Sequence, residues 1–243
     1  MRKIAFYGGS FDPVHNGHLA IARRLTEIFA FDEFVFIPAF HAPHKSDRTP
    51  TSAFHRYAML ALTTAKDERI KISTVELDAP EKPFTFETQE KLKNELTDAQ
   101  IFFVIGADSW NEIDTWREWG KVLTLTNIAV VTRPGYELNF LHVTEEIKSR
   151  IVDLRVQSPE SKVQSENQRY DYQDEKTDFE GKDLKLWTLD SGLWTKIFIT
   201  NAVQMDVSAS KIRQMIREEK AGWREFVPEA AADYIEKYSL YLK

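Results

Sequence analysis

Short apolar runs rich in β-branched and aromatic residues recur along this chain, and segments with helical periodicity separate them. IAFYGG, EFVFIP, IKISTV, QIFFVIG and NIAVVTR, with KIFITN later, read as buried strands. Between them, GHLAIARRLTEIF, AFHRYAMLALTTA and FTFETQEKLKNEL carry apolar residues at three-to-four spacing and read as helices. Strands this apolar need cover on both faces, and strand–helix alternation supplies that cover in a parallel sheet. The expected fold class is therefore α/β, a doubly wound parallel sheet with ligands at the carboxyl ends of its strands. Helical period resumes in SASKIRQMIREEK and again from Pro228 to Tyr238.

The chain has 243 residues, enough for one sizeable core, and is read as a single domain over 1–243. Residues 157–183 break the pattern: eight acids, four bases and few aliphatics mark a loop-like acidic insertion. Thirty-two Lys and Arg against 38 Asp and Glu give a net charge of −6. A chain this acidic is a poor nucleic-acid binder, so a phosphate ligand must be met by local structure. Cysteine is absent, which excludes disulfides, thiolate zinc sites and Cys nucleophiles. No apolar run is long enough to span a bilayer, and the first is too short for a secretory leader. The expected setting is the cytoplasm, without a membrane partner; a homo-oligomer is compatible with the sequence.

The first strand runs into Gly8-Gly9-Ser10-Phe11-Asp12-Pro13-Val14-His15-Asn16-Gly17-His18, where a helix begins. Two glycines at a strand end admit a ligand close to the backbone. A helix N-terminus beside them offers N–H groups and a positive dipole end to an anion. His15 and His18 stand three apart there and can both address one phosphate chain; the same residues also suit a Gly-rich turn with two capping histidines. Histidine-held zinc is not expected, because no third ligand shares that element. His44 and Lys45 follow the second strand in a Pro-punctuated loop, as phosphate contacts or as solvated side chains. After the fourth strand, Gly106 again permits close approach. Asp108 could accept from ribose hydroxyls, hold a magnesium-bound water, or cap a short helix. Trp116 could stack on a flat ring or simply pack a helix. Arg133 adds a cation at the end of the fifth strand. Ser208 and Ser210 open a late helix whose first turn carries Lys211 and Arg213, an arrangement opposed by the helix dipole unless an anion binds there.

In this order GGSFDPVHNGH, IPAFHAPHK, GADS, TWREW, TRPGY and SASKIR resemble the bacterial nicotinate-nucleotide adenylyltransferases, over roughly Lys3 to Arg133 and Val203 to Tyr241. The resemblance implies a Rossmann-like nucleotidyltransferase fold with a C-terminal helical segment. It implies adenylyl transfer from ATP to nicotinate mononucleotide with release of pyrophosphate, a step of NAD biosynthesis. His15, His18, Lys45 and Arg213 would be catalytic. Gly8, Gly9, Ser10, Phe11, Gly106, Asp108, Arg133, Ser208 and Ser210 would bind ATP, and His44, Thr85, Trp116 and Arg117 the nicotinate nucleotide. Magnesium would travel with ATP, held mostly by substrate and water. The sequence departs from the family at Arg117, where many members have Tyr, and at Val207 and Ser210 in the last motif. Rival acceptors are nicotinamide mononucleotide and phosphopantetheine. A class I aminoacyl-tRNA synthetase shares the histidine motif but would need a larger chain and a basic tRNA-binding surface. A non-catalytic nucleotide sensor would dispense with His15, His18 or Arg213.

Overall fold

The computed structural model describes residues 1–40, 51–132, 136–155, 195–203, 205 and 207–242. The acidic 157–183 segment lies outside the described residues. Seven strands form one parallel sheet: β1 (Arg2–Gly9), β2 (Glu33–Pro38), β3 (Ile70–Ile72), β4 (Ala99–Gly106), β5 (Asn127–Val131), β6 (Ile151–Asp153) and β7 (Ile197–Thr200), in the order β3-β2-β1-β4-β5-β7-β6. Every pairing is parallel, from Ile4 opposite Glu33 and Ile101 to Val152 opposite Phe198.

The strand period of two explains why both faces are buried. Ala5, Phe34, Phe36, Phe102, Val104, Ala129 and Phe198 point to one face. There they meet α1 (Asn16–Phe29), α2 (Ala53–Thr64), α7 (Ala209–Arg217) and α8 (Glu229–Lys237). Ile4, Phe6, Val35, Ile37, Ile101, Phe103, Ile128 and Ile199 point to the other. That face is covered by α3 (Thr85–Glu95), α4 (Ala107–Asn111), α5 (Trp119–Leu125) and α6 (Glu145–Lys148). Strand order reverses between β1 and β4, which makes the crevice outside their carboxyl ends the switch point where ligands of such sheets bind. Among the described residues no helix is long and apolar enough to cross a membrane.

Two strands depart from the sequence reading. The IKISTV strand stops at Ile72, because Ser73 Oγ accepts the Val75 N–H at 3.2 Å and turns the chain. The three-residue β6 was not anticipated; three residues are too few to show a period, and β6 is an edge strand paired only with β7. Its start is anchored by the buried Arg150, whose Nε donates to Thr195 O at 2.8 Å.

Candidate active site

A cavity of about 760 Å³ opens at the switch point. Its floor is the ends of β1 (Gly8, Gly9), β4 (Ile105, Gly106) and β5 (Val131). Four helices begin on its wall: α1 at His15, α3 at Phe84, α4 at Gly106 and α7 at Ser208. The first amides of a helix have no partner within it, and the dipole adds positive potential there. The strand ends at the cavity floor thus meet helix N-termini rather than lysine or arginine, while the wall also carries Glu76, Asp108, Glu112, Lys82 and Arg117.

His15 caps α1 in extended backbone, and His18 is its third helical residue. The rings stack, with centroids 3.6 Å apart and planes 21° apart. The His15 N–H donates to His18 Nδ1 at 3.2 Å. A nitrogen that accepts carries no proton, so the His18 proton resides on Nε2, which is left as the ring's donor. Gly17 lies between the His15 ring and Val207, just before α7: a Cβ there would stand 2.8 Å from Val207 Cγ1 and 3.1 Å from His15 Nδ1. Glycine at 17 therefore lets α1 and α7 approach closely enough for both N-termini to share the cavity.

Gly8, Gly9, Ser10, His15, His18, Gly106, Asp108, Thr85, Trp116, Arg117, Ser208 and Ser210 all line this one cavity. Trp116 and Trp119 do not share a helix face. Trp116 sits in extended backbone between the 3₁₀ turn Ile113–Thr115 and α5, and faces the cavity. Trp119 starts α5 and packs beside His142. Arg117 lies over the Phe84 ring at 4.7 Å, at the mouth of α3.

Two expected contacts fall elsewhere. The Phe11 side chain is 1% exposed and belongs to the core, edge-on to His18 at 5.0 Å, so its ring supports the site rather than touching a ligand. Gly9 accordingly makes room for that ring, since a Cβ would meet Phe11 Cζ at 2.9 Å. Arg213 is not on the cavity wall; its Nη1 donates to Asp12 O at 2.5 Å and its Nη2 to Ser210 Oγ at 3.1 Å. His44, Lys45 and Arg133 lie outside the described residues.

A cytidylyltransferase-like family profile matches residues 6–215. A Neisseria gonorrhoeae protein named "probable nicotinate-nucleotide adenylyltransferase" is 30% identical over 243 residues, the whole of both chains. The chain belongs to the nicotinate-nucleotide adenylyltransferase family. A Corynebacterium glutamicum relative of the same name is 36% identical over 149 residues, 61% of this chain and 68% of that one. A solved Plasmodium falciparum nicotinic acid mononucleotide adenylyltransferase, complexed with NaAD, shares the fold with a TM-score of 0.69. It is 17% identical, over 99% of this chain and 98% of that one.

Sequence reasoning missed two charged residues of this family member's site. Glu76 lines the cavity at the end that holds Thr85 and Lys82. Burial pushes its carboxyl up to about 7, against the hydrogen bonds from Thr88 Oγ1 and the Phe40 backbone and the nearby Lys82 and Arg56. The folded protein therefore holds a proton on Glu76 that an unfolded chain, titrating near 4.5, releases. Stability attributable to this group falls as pH rises from about 4.5 to about 7. Urea midpoints measured across that window are expected to decline in the wild type and to flatten in Glu76→Gln; parallel declines would contradict the assignment. Arg56, on α2, is 1% exposed. Its Nη1 donates to Ser10 O at 2.6 Å, its Nη2 to Ala39 O at 2.6 Å and its Nε to Thr51 O at 2.9 Å. It fastens the loop after β1 to the loop after β2, both of which reach the cavity through Ser10 and Ala39.

Proposed function

We propose that this chain transfers the adenylyl group of ATP to nicotinate mononucleotide, giving nicotinate adenine dinucleotide and pyrophosphate. The observation that carries the reading is the convergence of four helix N-termini on one cavity, two of them beside the stacked histidines and one beside Trp116. An α1–α7 end built from amides, imidazole and hydroxyls suits a polyphosphate. An α3 end with Trp116 suits a flat ring bearing a carboxylate. Family membership and the Plasmodium falciparum structures, complexed with NaAD and with APC, support the same pair of substrates.

The acceptor phosphate oxygen attacks the α-phosphorus of ATP, and the pyrophosphate oxygen leaves; no covalent bond to the enzyme is needed. Catalysis then rests on alignment and charge stabilisation. In our reading His18, through its Nε2–H, addresses the transferring phosphoryl group. His15 and the first amides of α1 bind the phosphates, and the α7 N-terminus with Ser208 and Ser210 takes the tail. Gly106 and Asp108 accompany the ribose, while Gly8, Gly9 and Ser10 let the nucleotide lie against β1. Arg213 holds Ser210 and Asp12 at that edge. Lys45, His44 and Arg133 would add positive charge from neighbouring loops. Among the described residues no three His, Asp or Glu side chains form a metal-holding group. Asp108 would suit an outer contact to magnesium carried on the nucleotide, an ion that lowers the charge of the phosphates it binds. We read residues 1–243 as one nucleotidyltransferase domain working in the cytoplasm.

Acceptor choice follows from α3. The Thr85 and Phe86 amides of its first turn suit carboxylate oxygens, with Arg117 adding positive potential. An amide in that place turns an NH₂ toward donors, at a cost of about 1–3 kcal/mol per unsatisfied buried group, or roughly 5- to 150-fold in specificity. Trp116→Ala is expected to weaken both mononucleotides alike. The test is kcat/KM for nicotinate against nicotinamide mononucleotide at saturating magnesium-ATP; equal values or a preference for the amide would contradict the reading.

A further inference from the structure

The end of the chain returns to the loop that precedes α1. After α8, Ser239 is left-handed at φ 49°, its N–H donates to Glu236 O at 3.1 Å, and the Leu240 N–H donates to Ile235 O at 3.0 Å. This Schellman reversal redirects the last residues. It brings Tyr241, itself left-handed at φ 69°, to Asp12, where its hydroxyl donates to Oδ1 at 2.7 Å. Asp12 is 6% exposed, and its Oδ2 accepts the Thr51 N–H at 3.3 Å. Burial and the Asp12 carboxylate raise the Tyr241 pKa, so the hydroxyl keeps its proton and remains the donor.

The stretch held in this way is strained. Phe11 has φ 47°, a left-handed backbone that bulky residues rarely adopt and that persists only where the surroundings over-determine it. Three side chains from three parts of the chain do so here. Arg56 from α2 takes the Ser10 carbonyl at 2.6 Å, and Arg213 from α7 takes the Asp12 carbonyl at 2.5 Å. Tyr241 takes the carboxylate of Asp12. The carbonyls on either side of Phe11 are therefore pinned, together with the next side chain. What this fixes is one ring. Phe11 stands edge-on to His18, centroids 5.0 Å apart at 81°, while His15 stacks on the same imidazole.

We propose that Tyr241 is a positioning residue for the reaction: through Asp12 it holds the left-handed turn at Phe11, whose ring sets the plane of His18. The proposal rests on His18 acting at the transferring phosphoryl group. A clamp of merely structural value would change melting temperature and leave the imidazole and the chemical step alone.

Tyr241→Phe removes one oxygen and keeps the ring, and is assayed well below its melting temperature. Misplacing a reacting group by a fraction of an ångström to an ångström is expected to lower kcat for pyrophosphate release about ten- to a hundredfold, with KM for ATP and nicotinate mononucleotide within about twofold. The His18 imidazole ¹⁵N–¹H signals of the ligand-free protein, identified by their loss in His18→Ala, are expected to shift or double. Asp12→Ala is expected to reproduce both effects. An unchanged kcat, an effect confined to KM, or His18 signals at wild-type positions in Tyr241→Phe would each overturn the proposal. Should the wild type release no pyrophosphate with this acceptor, the reaction assignment fails by itself, and the His18 signals still decide whether Tyr241 positions the ring.

Discussion

Turnover by His18→Ala is expected to fall on the order of 10²–10³-fold, the usual effect of removing one preorganised donor from developing charge. The ring has the means to act as that donor: Nδ1 accepts the His15 N–H, Nε2 keeps the proton, and the side chain lines the cavity beside the start of α1. Binding of ATP is expected to weaken much less, because the α1 and α7 amides, which in the proposed reading meet the phosphates in the ground state, survive the substitution. The fold is expected to survive too. His18 is only half-buried, and its neighbours Phe11 and Tyr7 remain packed on one another and on the core. Steady-state kinetics and ATP titration on the same preparation separate the two effects. Turnover within about threefold of wild type would remove His18 from the chemistry, since even a modest general acid or base contributes more than that.

The largest effect on stability is expected at Arg56. Arg56→Met leaves the part-buried carbonyls of Ser10, Ala39 and Thr51 without this donor. Each such group costs about 1–3 kcal/mol. Part of this is offset, because burial already disfavours the guanidinium and lowers its pKa, so its removal relieves that penalty. The balance should resemble removal of one partner from a buried charged network, about 3–5 kcal/mol. For a chain of this size that is roughly 6–20 °C in Tm. Arg56→Lys should recover little, since one ammonium cannot fork to three carbonyls that lie in different directions. Denaturant unfolding decides it: a loss below about 1 kcal/mol would mean the three carbonyls find other partners.

Arg56 also shows what was legible in the sequence and what was not. It stands three and four residues before Met59 and Leu60, both fully buried, so an arginine on the apolar stripe of α2 was readable as a buried cation. Its acceptors were not, because they come from loops brought together only by the sheet order. The sheet itself was legible where a strand carries three or more apolar residues, four each in IAFYGG and NIAVVTR, and not in β6, which has only Ile151 and Val152. Gly8, Gly9, His15, His18, Gly106, Asp108, Ser208 and Ser210 were readable as one site because each follows a strand or opens a helix, and a parallel sheet puts all those positions on one edge. Phe11 shows the limit of motif reading. It lies within the Gly8-to-His18 motif in sequence, yet its left-handed backbone turns the ring into the core, and nothing in the residue type foretells a positive φ. Glu76 shows another limit. Nothing in STVELD distinguishes it from its exposed neighbour Asp78, and its raised pKa comes from burial that exists only once Thr88 of α3 and the backbone at Phe40 are brought to it.

The reaction itself is tested most directly by incubating the full chain with magnesium-ATP and, separately, nicotinate mononucleotide, nicotinamide mononucleotide or phosphopantetheine, and quantifying pyrophosphate together with the adenylylated product. The account predicts pyrophosphate and nicotinate adenine dinucleotide in equal amounts, fastest with nicotinate mononucleotide, and release slower on the order of 10²-fold or more in His18→Ala. Pyrophosphate release that is fastest with phosphopantetheine, or ATP binding without release for any acceptor, would contradict it.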